Sequence, residues 1–125
     1  AYLMRSEEKK MLKEIMDKRG FILDFHRILA EEDPQFLRAY EDLISSAYAN
    51  ERTLDKKVKE FIFIAALTAL RADKSHIGAH MKLALENGAS KKEILEVLEC
   101  IYPPCGTLSF MNGLEAFKAT ALHDK

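Results

Sequence analysis

Apolar residues return every three or four positions from Met11 to Ala121, and no stretch alternates apolar with polar as a half-buried strand would. That periodicity restricts the chain to packed helices. Met11, Leu12, Ile15 and Met16 form a stripe that stops at Gly20, and Phe21, Ile22, Phe25, Ile28 and Leu29 form a second. Asp33-Pro34 follows, an N-cap and then the residue best suited to the first helical position. The third stripe takes in Phe36, Leu37, Tyr40, Leu43, Ile44, Ala47 and Tyr48, with an expected end near Asn50. A fourth helix is expected over about 55–71; its middle, Phe61 to Leu70, is apolar all round, which predicts burial by neighbours on every side, another subunit among them. A fifth is expected over about 74–87, closed by Gly88 as a left-handed cap. Ser90 and Glu93 make a capping box that opens a sixth, with Ile94, Leu95, Leu98, Ile101 and Tyr102 along its stripe. Pro103-Pro104 lack N–H groups and are expected to interrupt it. A last helix over about 107–122 carries Phe110, Met111, Leu114, Phe117 and Ala121. The expectation is a single all-α domain over residues 1–125, a bundle of about seven helices.

A chain of 125 residues buries enough surface to fold without a disulfide or a metal. Its 19 basic and 20 acidic residues are interspersed, for a net charge of −1. No footprint for nucleic acid and no polybasic membrane segment follows from such a balance. The longest apolar run is about half of what a bilayer crossing needs. The opening AYLMRSEEKK carries no apolar core of a signal peptide, and two cysteines fit a reducing compartment, so a cytoplasmic setting is expected.

Four segments carry a family likeness. LDKKVKEF, from Leu54 to Phe61, is a Leu-Asp-basic run leading to a glutamate and a long apolar stretch. AHMKLALENGAS, from Ala79 to Ser90, is a helix headed by a histidine and closed by Asn-Gly before a capping residue. KKEILEVL follows from Lys91 to Leu98, and GTLSFMNGLEA from Gly106 sets Asn112 six residues after that glycine. In order and spacing these resemble the carboxymuconolactone decarboxylase family, whose other large branch is the alkylhydroperoxidase D-like proteins. The likeness covers 54–119 as a core, with 1–53 as an N-terminal helical extension. It implies the alkylhydroperoxidase D-like all-α fold, a homo-oligomer (trimer or hexamer), and a carboxy-lyase acting on a carboxylated lactone or a related intermediate of aromatic-acid breakdown. The peroxidase branch places a Cys-x-x-Cys just ahead of the helical histidine. Here Ala72, Asp73, Ser75 and His76 occupy that region without a cysteine. A peroxiredoxin-type activity therefore has no nucleophile there and stands as the alternative, beside a non-catalytic oligomeric binding protein.

The resemblance matches His80 to the family's histidine and Glu60 to its glutamate. On a wheel of 100° per residue His80 lies roughly 85° from the centre of the apolar face, at its boundary, and His76 about 125° away. A boundary imidazole reaches both a pocket and water, as a proton carrier should. Phe61 and Ile64 flank Glu60 and predict a partly desolvated carboxyl able to hold or pass a proton. Decarboxylation of such a lactone needs a general acid/base and oxyanion donors, with no metal or organic cofactor. His80 is thus the expected proton-transfer residue, Glu60 its orienting or relay partner, and His76 a second donor. His76 and His80 also have the i, i+4 spacing of a zinc pair, but lack the adjacent glutamate of HExxH. Cys100 and Cys105, a C-x₄-C split by two prolines, are read as buried small side chains, with Cys105, ahead of a helix N-terminus, the alternative redox group. His26 and His123 receive no role.

Overall fold

Side-chain caps set most of the helix starts, where the first N–H groups have no intrahelical acceptor. Asp33 Oδ1 accepts from the Phe36 N–H at 3.0 Å, Asp55 Oδ1 from Val58 at 2.9 Å and Asp73 Oδ1 from Ser75 at 2.8 Å. Ser90 and Glu93 form the reciprocal box: Glu93 N–H donates to Ser90 Oγ at 3.0 Å, and Ser90 N–H to Glu93 Oε1 at 2.9 Å. The computed structural model describes residues 5–122. Among them are seven α-helices: α1 (Ser6–Arg19), α2 (Asp24–Glu32), α3 (Pro34–Ile44), α4 (Lys56–Ala69), α5 (Lys74–Glu86), α6 (Lys91–Cys105) and α7 (Thr107–Thr120). No strand occurs among the described residues. The α3 helix runs into a π-helical turn, Ser45–Ala49, closed by the Asn50 N–H on the Ser45 carbonyl at 2.9 Å.

Two compact units partition the chain, Ala1–Glu51 and Arg52–Lys125. In the first, α1, α2 and α3 enclose Met11, Leu12, Ile15, Ala30 and Leu37. In the second, α4 to α7 enclose a larger core around Ile64, Ile77, Met81, Leu98 and Phe117. Gly113 on α7 marks a close approach: a Cβ there would stand 2.7 Å from Thr68 Cγ2 and 2.9 Å from Leu98 Cδ2.

Three expectations change. Pro103 and Pro104 lie inside α6, which continues to Cys105. Their rings deprive only the carbonyls of Glu99 and Cys100 of helical donors, and both residues are exposed, where a carbonyl without a helical donor costs least. Cys100 and Cys105 are exposed free thiols rather than buried ones. The buried positions of α6 are Ile94 and Leu98, and Cys100, two residues on, points away from that face. Finally, the chain by itself does not enclose α4 all round: Ile62 is 50% and Leu70 80% exposed, while Glu60, Ile64 and Thr68 are buried.

Candidate active site

Within the second unit, α4 and α5 form a hairpin that sets Glu60 against His80. Glu60, Ile64 and Thr68 recur at i, i+4 and i+8 on the buried face of α4; Ile77, His80, Met81 and Ala84 share that of α5. The turn between the helices closes in a Schellman pattern, with the Ala72 N–H on the Leu67 carbonyl at 2.9 Å. Arg71 takes the left-handed position with φ 54°, where a glycine would be unstrained. The same motif ends α5 with Gly88 at φ 91°, the expected cap. Two α7 side chains fasten the α4–α5 turn: Ser109 Oγ donates to the Ala69 carbonyl at 3.3 Å, and Asn112 Nδ2 to the Ala72 carbonyl at 2.9 Å. Asn112 was legible as a family match, but nothing in the sequence assigned it this bracing role.

The pair itself is tight and dry. Nδ1 of His80 lies 2.7 Å from Oε1 of Glu60, with side-chain exposures of 0% and 3%. Full burial of His80 corrects the boundary position read from the wheel: the single-helix wheel counted only apolar neighbours, whereas the α5 surface covered by α4 includes the imidazole through its bond to Glu60. With the carboxylate accepting from Nδ1–H, Nε2 of His80, itself buried, is the nitrogen left to take up and release a proton. The Phe63 ring lies over His80 at 4.7 Å between centroids, tilted 33°. His76, half-buried, lies 5.5 Å away between ring centroids. At the solvent end Asp73 is exposed, and hydrogen bonds from the Ser75 hydroxyl and N–H hold its carboxyl below the usual carboxylate range, with a smaller contribution from His76.

All three site residues named from the sequence are therefore brought to one place. Cys100 is not among them; it lines a groove of about 260 Å³ between α4 and α6 with Phe61, Ala65 and Val97. Among the described residues no group of three or more His, Cys, Asp or Glu side chains is placed to hold a metal ion.

Sequence reasoning missed a second buried polar cluster, in the first unit. His26 is fully buried, and its Nδ1 accepts the Leu23 N–H at 2.9 Å. The neutral ring therefore carries its proton on Nε2, which faces Glu41 Oε1 at 3.4 Å. Arg19 Nη1 donates to the same oxygen at 3.0 Å and stands 3.2 Å from His26 Nε2. The three residues come from three helices at no recognisable spacing, so only the i, i+3 step from Leu23 to His26 was visible as a local signal.

The second unit thus buries one carboxyl–imidazole pair beside a second histidine, and carries its two exposed thiols on α6. The chain belongs to the carboxymuconolactone decarboxylase family, whose match covers residues 34–119. That match begins 20 residues ahead of Leu54 and takes in α3 as well as the second unit. The chain is also similar to an uncharacterized protein of Methanocaldococcus jannaschii, 24% identical over 94 residues, which are 75% of this chain and 86% of that protein. No helix among the described residues is long and apolar enough to cross a membrane.

Proposed function

We propose that this protein is a decarboxylase of the carboxymuconolactone type, with Glu60 and His80 as its proton-transfer centre. The observation that carries this reading is the buried 2.7 Å contact between them. When the bond from carbon to the leaving carboxylate breaks, its electron pair spreads onto the conjugated carbonyl, and CO₂ departs. Protonated His80 then delivers the Nε2 proton to carbon, while Glu60 holds Nδ1–H and offsets the imidazolium charge. Substrate approaches from the side of Phe63 and His76, the half-buried rings beside His80. The test is CO₂ release from a carboxymuconolactone by the intact chain and by His80→Gln. Loss of turnover with an unchanged helical CD spectrum supports the assignment; unchanged turnover removes His80 from the mechanism.

The same reading includes assembly with further copies of the chain. Ile62, Ala66 and Leu70 run at i, i+4 and i+8 along the outer face of α4, and Leu108 and Met111 are exposed on α7. Such an apolar surface suits a homo-oligomeric contact in a cytoplasmic protein. A thiol-dependent antioxidant activity is the second reading, favoured by the exposure of both cysteines. Peroxide reduction that persists unchanged in Cys105→Ala would remove that thiol from it.

A further inference from the structure

We propose that His76 is the outer station of a proton path that connects solvent with the buried Glu60–His80 pair, with Asp73 as its electrostatic anchor. The proposal rests on the reading of that pair as the proton-transfer centre. Three observations point to it. First, Asp73, the N-cap of α5, and His76 and His80 within the helix stand at i, i+3 and i+7, the two imidazoles about 40° apart around the helix axis. Second, exposure falls stepwise along that row: Asp73 is exposed, His76 half-buried, His80 buried, and Glu60 on α4 closes the inner end. Third, Phe63 covers His80 with a ring that can neither donate nor accept a proton.

A catalytic pair that loses one proton per turnover has to regain it. Across 5.5 Å between ring centroids, His76 passes a proton to His80 through one bridging water or a small ring rotation. Water protonates one ring nitrogen of His76, and the other nitrogen releases its proton toward Nε2 of His80. One proton enters and one moves inward, so His76 returns to its neutral form. Asp73, kept ionised by its Ser75 bonds, stabilises the transient imidazolium of His76 without taking up the proton itself. His76 is in this sense a positioning and relay residue for the reaction.

The experiment uses the full chain with ¹⁵N-labelled histidine and no substrate. At a pH low enough to protonate His80, the exchange rate of its Nε2–H with solvent is read by saturation transfer in wild type, His76→Phe and His76→Gln. Both variants are expected to slow that exchange by about tenfold or more, with the His80 Nδ1–H resonance position retained, showing that the Glu60 bond persists. His76→Glu, which restores a proton carrier, should recover part of the rate, and Asp73→Asn should slow it less than either. Exchange that ignores residue 76, or that tracks denaturant as local opening of α5 would, overturns the path. Either result is independent of CO₂ release, so failure here leaves the assignment of Glu60 and His80 standing, and its failure would be seen in turnover alone.

Discussion

His80 and His26 are both fully buried, yet their partners dictate opposite tautomers. Glu60 accepts from Nδ1–H of His80 and leaves Nε2 as its basic nitrogen; Leu23 N–H occupies Nδ1 of His26 and commits Nε2–H to Glu41. Ring ¹⁵N shifts of the neutral protein should therefore place the proton on Nδ1 in His80 and on Nε2 in His26; the same tautomer in both would contradict the geometry. Removing His26 leaves a part-buried Leu23 donor without its acceptor and a cavity beside Arg19 and Glu41. The expected cost of His26→Ala is about 2–3 kcal/mol in urea unfolding. Much of this residue scale was hidden in the sequence. Two histidines four apart were visible at once, but which of four histidines would be buried depended on carboxylates 20 and 15 residues away. A wheel drawn for one helix has no means of registering such distant partners.

At the scale of elements the sequence was far more transparent, because caps are local. Asp33-Pro34, the Ser90–Glu93 box and Gly88 sit where their spacing placed them. Pro103-Pro104 misled because the cost of a proline depends on whether the carbonyl it deprives is buried, and no local pattern reports that. The Ser90 N–H, and then Lys57, hold the Glu93 carboxyl below the usual carboxylate range. Its folded value is thus lower than its unfolded one. The stabilisation is complete above the unfolded value near pH 4 and is lost as pH falls through the folded value. Glu93→Gln should accordingly flatten that part of the stability–pH profile in thermal melts, and an unaltered slope would show that the α6 cap does not supply it. Arg71 strains the turn that folds α5 back onto α4. Arg71→Gly is expected to raise stability by about 0.5–1 kcal/mol. Gly113→Ala should do the reverse by about 1–3 kcal/mol, since its methyl meets the buried Thr68 and Leu98 side chains.

For the whole molecule, two units divide the labour unequally. The second holds the Glu60–His80 pair and its bracing from α7; the first buries an ionic cluster of its own and contributes α3 to the family match. The apolar run of α4 announced burial on every side, and the exposed stripe of Ile62, Ala66 and Leu70 is what remains of that prediction within one chain. Leu70→Glu should shift the mass in light scattering from an assembly toward a single chain, while an unchanged mass would place any contact elsewhere. The most direct test of the central claim, that Glu60 and His80 act as one proton-transfer unit, is a double-mutant cycle on kcat/KM for CO₂ release with Glu60→Gln, His80→Gln and both. Each single substitution should cost about 10²–10⁴-fold, and the double variant should fall no further than the more damaging single one. Losses that multiply, as for two independent residues, would contradict it.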